Sequence, residues 1–319
     1  MKVRLGIDLG GTFIKAGMIE HSSAKVITHF KHPTEALTNP KTVIKNLNDA
    51  YNRLRDICKQ KGYKPISLGI GSPGTIGQPD GRVTDASPNI KKWQDVVLTK
   101  IFGKTDIPVS ADNDANCAAL AEYWPGLQDK YKNVIFITVG TGIGSGLILN
   151  GKLFRGSTYA GAELGHTTIV RKGRKCKCGR KGCLEAYASV PNLMKQYVSL
   201  AKKAHSKIDK DISPQELFAL YKKGDRVAVQ AITDNADYLG VGIGSFVNVL
   251  NPEIVVIGGG FSGTGSEYIR LIHSSIMEHA FKAATSKLKV VKAKMGNNAG
   301  FIGAALLGMV DKDGKIKRR

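Results

Sequence analysis

The sequence predicts an α/β protein of two domains, each built on a β-sheet. Three observations carry this. Buried-looking, β-branched runs alternate with amphipathic helices, the pattern of an α/β architecture. An apolar strand, a turn of glycine and threonine, and a second apolar strand occur twice, at 5–19 (LGIDLGGTFIKAGMI) and 136–149 (FITVGTGIGSGLIL). The copies start 131 residues apart, too far for a solenoid and too far for one hairpin copied in place, so they point to a duplicated domain. Finally, a chain of 319 residues suits two domains and a sizeable core. The boundary is expected near 111–113, giving a domain of residues 1–112 and a larger one of 113–299, with a last helix at 300–319 packing back on the first.

The elements follow in order. Residues 3–9 and 14–19 read as two strands around a glycine turn, and 25–31 as a third. Residues 41–61 are helical, with Val43, Ile44, Leu47, Tyr51, Leu54 and Ile57 on one face, and Gly62 as C-cap. Strands are expected at 66–71 and 107–111. A helix then begins near Asp112, which is its expected N-cap, and stops before Pro125. Residues 133–139 and 146–149 flank the second glycine turn. Helices are expected at 191–203, 214–223 and 227–250, the last weakened by Gly240, Gly242 and Gly244. Residues 253–260 read as a strand then a glycine turn, followed by a helix at 266–281, a strand at 287–293 and a helix at 299–310.

Composition is ordinary for a globular protein, at 42% hydrophobic and 23% charged, which excludes disordered and fibrous classes. The net charge of +21 favours anionic partners without choosing among nucleotides, phosphorylated metabolites, nucleic acid and acidic membranes. Its two concentrations, 171–181 (RKGRKCKCGRK) and the terminal GKIKRR, read as a solvated loop and a frayed tail. Asp8 and the Gly10-Gly11 pair interrupt any signal-peptide core, and no run of apolar residues is long enough for a membrane span. Five cysteines without a secretory signal indicate a reducing, cytoplasmic setting with free or metal-bound thiols.

Several motifs carry chemistry. In Asp8-Leu9-Gly10-Gly11-Thr12, glycines bring backbone N–H groups close to an anion, Thr12 adds a hydroxyl, and Asp8 suits a magnesium ion held through water. The spacing is not that of a dinucleotide fingerprint, and a strand follows where a helix belongs. The second turn, with Gly140, Thr141, Gly142, Gly144, Ser145 and Gly146, repeats the pattern as a phosphate cradle. Gly258, Gly259 and Gly260 follow another buried strand. Each turn alone is compatible with a purely conformational role, but three after buried strands favour a nucleotide site. Asn113, Asp114 and Asn116 crowd a helix start beyond the needs of capping. A carboxylate there, kept ionised by the helix N-terminus, suits binding a polyol and accepting a hydroxyl proton.

Cys176, Cys178 and Cys183 lie within eight residues, with His166 ten residues upstream, a Cys₃His set suited to a structural zinc ion. Lys177, Arg180 and Lys181 make this loop too polar for core, whereas Cys58 and Cys117 lie on helical faces and read as core. Glu163 and Glu185 flank the knuckle, so a zinc ion would fix two acceptors suited to sugar hydroxyls.

These motifs resemble the repressor/open-reading-frame/kinase (ROK) family of bacterial sugar kinases, which share the actin-like ATPase fold. The resemblance covers nearly the whole chain: DLGGT at 8–12, GIGSPG at 69–74, NDAN at 113–116, VGTGIGSGLI at 139–148, ELGH at 163–166, CKCGRKGCLE at 176–185, IGGG at 257–260 and AGFIGAA at 299–305. It implies Asp114 as the general base for a sugar 6-hydroxyl. It implies Gly74, Asn113, Glu163, His166 and Glu185 as sugar contacts, His166 also ligating zinc. The two hairpins, Gly6 to Phe13 and Gly140 to Leu147, would hold the ATP phosphates with Mg²⁺, and Gly258 to Gly260 would flank the adenosine.

The chain departs from the family at GAELGH, where AGELGH is common, and at Phe13, where lysine is frequent; Lys15 is the alternative source of charge. It departs again at SPNIKKW (87–93), with Lys91 and Lys92 near the expected sugar site. The activity so implied is ATP-dependent phosphorylation of a hexose, first of all D-glucose to glucose 6-phosphate, in a dimer or tetramer. The short gap between His166 and Cys176 resembles the glucose-specific branch. N-acetylmannosamine, N-acetylglucosamine, fructose and allose are the alternative substrates. A sugar-sensing repressor is the alternative class, but the first hairpin starts by residue 5, where a preceding DNA-binding module is expected, so no specific nucleic-acid partner is expected.

Overall fold

The computed structural model describes residues 1–85, 90–206, 212–260 and 265–317; the start of the 87–93 segment and the last residues of the basic tail lie outside the described residues. The chain divides into two compact units. Unit 1 comprises Met1–Lys132, Gly146–Ala162 and Asn297–Arg319, and unit 2 comprises Asn133–Ser145 and Glu163–Gly296.

Unit 1 is built on a five-stranded sheet of order β3-β2-β1-β4-β7. β1 (Lys2–Leu9), β2 (Phe13–Glu20) and β3 (Val26–Pro33) form an antiparallel meander. β4 (Lys64–Ser72) and β7 (Val109–Asn113) continue it in parallel. The crossover from β3 to β4 is α1 (Pro40–Lys61), which starts where Asn39 accepts a hydrogen bond from the Thr42 amide and stops at Gly62 in the left-handed region. Its buried face, Val43, Leu47, Tyr51, Leu54 and Cys58, packs against Val3, Leu5, Ile7 and Leu9 of β1.

The opposite face of the sheet carries a central row of glycines. Gly17, Gly6 and Gly69 lie side by side in the register of β2, β1 and β4. A Cβ on Gly6 or Gly69 would overlap the backbone of Phe301 or Ala304. This glycine row therefore seats α9 (Ala299–Leu306) directly on the strand backbones. α2 (Asp114–Gly126) packs against α9 just as closely, because a Cβ on Gly303 would overlap the Cys117 carbonyl. The helix expected in the larger domain thus groups with unit 1. Pro125 does not stop it but occupies its last turn. The sequence also gave no hint of the short hairpin β5 (Thr75–Gly77) and β6 (Arg82–Asp85).

The second sheet has the order β10-β9-β8-β11-β12, the same plan as the first. In it β8 (Val134–Val139) and β9 (Ile143–Leu149) are the glycine hairpin, β10 (Lys152–Phe154) pairs antiparallel with β9, and β11 (Ile254–Gly258) and β12 (Lys289–Lys292) run parallel to β8 and to each other. Strand β9 begins in unit 2 and ends in unit 1. The helices of unit 2 are α3 (Glu185–Ala188), α4 (Val190–Lys203), α5 (Pro214–Lys222), α6 (Arg226–Leu250), α7 (Ser266–His279) and α8 (Lys282–Thr285) among the described residues. The glycines of α6 do not interrupt it. At Gly240 a Cβ would overlap Ser275, so the residue that weakens the helix locally brings α7 close. Among the described residues no helix is long and apolar enough to cross a membrane.

Candidate active site

In unit 1 the first hairpin places its charges by register. Asp8 and Lys15 are cross-strand partners, and the Lys15 Nζ lies 3.9 Å from the Asp8 carboxylate while donating to the Asn297 carbonyl at 3.1 Å. Lys15 therefore does supply the cation at this turn. Phe13 points outward, 44% exposed, with the Lys31 ammonium above its ring. The turn closes by the Gly10 amide donating to the Phe13 carbonyl at 3.2 Å, and the Thr34 hydroxyl fixes the Gly10 carbonyl at 2.7 Å. Gly11 and Thr12 are exposed. Burial, then the nearby Asp114 charge, push the Asp8 carboxyl up to about 6 against the opposing pull of Lys15.

The junction of β7 and α2 carries the other polar groups, and here the sequence reading needs correction. Asp112 is not the N-cap. Asn113 caps α2, accepting from the amides of Ala115 at 2.8 Å and Asn116 at 3.3 Å, while its Nδ2 donates to the Gly74 carbonyl at 3.1 Å. Gly74 itself needs glycine, with φ at 102°. Asp112 instead forms a buried ion pair with Arg155, a residue no local signal linked to it.

Asp114 is the first residue of the helix and accepts from the Ala115 amide at 2.9 Å. The helix terminus does not dominate its ionisation: burial raises its pKa despite the backbone hydrogen bonds. A carboxylate so raised is a better proton acceptor than an ordinary one. Of the 87–93 segment, Trp93 is buried and donates to the Ser72 hydroxyl at 3.0 Å, whereas Lys91 and Lys92 are exposed.

In unit 2 the second hairpin is uncharged and braced from behind. The Gly140 amide donates to the Gly142 carbonyl at 3.0 Å, and Val190 of α4 donates to the Gly140 carbonyl at 2.9 Å. Glu185 accepts from the Ile143 amide at 3.0 Å, and a Cβ on Gly142 would come within 2.5 Å of the same carboxylate oxygen. Thr141 is exposed beside it, and Ser145 receives the Leu164 amide at 3.0 Å. Gly144 lies within β9. Gly258 ends β11, and Gly259, at φ 92°, leaves no space between its backbone and Val139, so the third glycine cluster abuts the base of this hairpin. Gly260 is open on its side-chain face.

The knuckle assembles as its spacing predicts. Gly179 and Gly182 both adopt positive φ, and the turn closes by the Cys176 amide donating to the Arg180 carbonyl at 2.8 Å. The ligand atoms of His166, Cys176, Cys178 and Cys183 all lie within 4.8 Å of one another. Nδ1 is the imidazole nitrogen turned to the thiols, 3.8 Å from the Cys176 sulfur, and the Cys178 and Cys183 sulfurs are 3.7 Å apart. Tetrahedral zinc–thiolate bonds require sulfurs about 3.8 Å apart, so the donor set fits that ion. Glu163 is exposed at the start of the short 3₁₀ turn Leu164–His166. Glu185 has one oxygen toward Cys176, at 3.9 Å, and the other on the hairpin, and so joins knuckle to glycine turn.

Known proteins are similar to this chain over most of its length. A glucokinase of Halalkalibacterium halodurans is 34% identical over 95% of this chain and 94% of its own length. A xylose repressor of Caldicellulosiruptor bescii is 33% identical over 96% of this chain and 78% of its own. Among solved structures, a ROK family glucokinase from Streptomyces griseus in complex with glucose and AMPPNP superposes with a TM-score of 0.81, at 29% identity, covering 96% of this chain and 98% of that one. The fold shared with such structures is the actin-like ATPase fold. The ROK family model matches residues 4–310, and over that span the chain belongs to the ROK family.

Proposed function

We propose that this protein transfers the terminal phosphoryl group of ATP to the 6-hydroxyl of a hexose, with D-glucose as the preferred acceptor. The observation that carries this is the β7–α2 junction: Asp114 with a raised pKa beside Asn113, itself tied to Gly74. Asp114 accepts the hydroxyl proton, while Asn113, Gly74, Glu163, His166 and Glu185 bind the remaining hydroxyls. Phosphoryl transfer passes through a loose transition state, so positioning and charge neutralisation dominate. The Asp8–Lys15 pair supplies charge, and backbone amides of both glycine turns cradle the phosphates, with Gly258, Gly259 and Gly260 beside the adenosine. A magnesium ion would supply Lewis-acid charge at Asp8, whose ionised form it would favour over the raised pKa. His166, Cys176, Cys178 and Cys183 would hold a structural zinc ion; one zinc per chain by atomic absorption, lost in Cys178→Ser, is the expected result.

The glucokinase relatives, and the glucose and AMPPNP bound in the solved neighbour, support this reading. The test is ADP release from MgATP with a panel of hexoses. Turnover is expected with D-glucose well above fructose and N-acetylated sugars, and Asp114→Asn should lower kcat by about 10³-fold while leaving sugar binding largely intact. The xylose repressor relative favours a second reading, a sugar-responsive regulator. Sugar binding without turnover on any hexose would support it and reject the kinase.

A further inference from the structure

We infer that Arg155 acts through Asp112 as a positioning residue for phosphoryl transfer, holding the first turn of α2 that carries Asn113 and Asp114. The inference rests on the reading of Asp114 as the base.

The Arg155 Nε donates to Asp112 Oδ2 at 2.7 Å, and the two side chains are only 11% and 2% exposed. Such a buried pair is a poor source of stability, because desolvating two charges offsets most of their attraction. What the pair does locally is more specific. The other oxygen of Asp112 accepts from the Asn113 amide at 2.8 Å and from the Asn116 Nδ2 at 2.9 Å. One carboxylate thus spans the end of β7 and the first turn of α2, and the guanidinium fixes its orientation from the far side. Arg155 follows directly on β10, 43 residues away in sequence.

Charge adds a second argument. Asp112 lies two residues before Asp114, and the carboxylates Asp8, Asp112 and Asp114 all act on the Cys117 thiol, with Arg155 opposing them. Lys15 is paired with Asp8 across the first hairpin, and Arg155 is the cation paired with Asp112. Without Arg155, a buried unpaired carboxylate would sit within one turn of the base. The Asn113 side chain, in contrast, has its own partners in the Gly74 carbonyl and the helix amides. Loss of Arg155 should therefore disturb turnover more than sugar binding.

The structure also gives access to the test. Arg155 lies in the wall of an open cavity of about 450 Å³, with Phe154, Tyr159 and Lys312. Arg155→Ala would leave space there for a small guanidinium ion.

The experiment measures kcat and the glucose KM for Arg155→Met, Arg155→Ala, Asp114→Asn and the double variant Asp112→Asn/Arg155→Met. Arg155→Met should lower kcat on the order of 10²-fold, the cost of a misplaced reacting group, with KM changed by less than about threefold. The double variant removes the stranded carboxylate and should regain about tenfold over Arg155→Met. Methylguanidinium should restore part of kcat to Arg155→Ala, and this comparison replaces the first if Arg155→Met does not fold.

An Arg155→Met enzyme within about threefold of the parent kcat overturns the inference, as does a loss confined to KM or an absence of both regain and rescue. Asp114→Asn separates the two levels. If it is inactive while Arg155→Met is active, only the present inference fails. If it retains turnover, the base assignment fails, and with it the inference that Arg155 positions a base.

Discussion

The two glycine hairpins occupy the same place in two sheets of the same strand order, yet their chemistry differs. Counting from each turn, Asp8 and Lys15 of the first correspond to Thr138 and Ser145 of the second. The first hairpin holds a cross-strand ion pair and a carboxyl pushed up by burial. The second has no charge of its own, and a carboxylate from outside, Glu185, grips its backbone. Duplication thus supplied two similar loops, and charge was concentrated in one while external bracing was built around the other.

That contrast can be broken most sharply at the equivalent pair. Asp8→Ala should reduce kcat by about 10²-fold or more, the loss expected when charge stabilisation of a phosphoryl group is removed, whereas Thr138→Ala should stay within about threefold. Steady-state assays at saturating glucose decide it, and equal losses would erase the functional distinction between the hairpins. Next in size is Gly142→Ala. Its methyl group must displace the Glu185 carboxylate, so the KM for ATP should rise by about tenfold, the effect of losing one charge-assisted hydrogen bond. An unchanged KM would show that the brace is dispensable.

The smallest effect concerns stability. Asp8 titrates at about 6 in the folded chain against 3.8 for an ordinary aspartate, so the fold binds its proton more tightly than the unfolded chain does. Stability therefore declines as pH rises from about 4 through 6. Asp8→Asn should raise Tm by about 3 °C at pH 7.5 and have no effect at pH 4. A gain of equal size at both pH values would assign the effect to packing instead of ionisation.

Much of this organisation was legible in the sequence because its signals are local. The glycine turns, the NDAN run and the Cys-x-Cys spacing each fix a backbone shape within a few residues, and α1 announced its C-cap at Gly62. What was not legible depends on distant partners. Asp112 looked like an N-cap because the rule for helix starts is local, and its true partner, Arg155, lies beyond three further strands. The glycines of α6 read as weakness, whereas Gly240 lies against Ser275 of α7, Gly242 against Leu184 and Gly244 against His279. Pro125 read as a stop signal, and it lies instead within the last turn of α2, one residue before its end.

The glycine row on the first sheet also has a consequence for biosynthesis. Its covering helix, α9, lies near the end of the chain, starting 290 residues after the end of β1. A ribosome extending the chain from its N-terminus delivers every residue of unit 2 before α9 exists. The domain begun first is therefore the one completed last, and until then its glycine row stays uncovered.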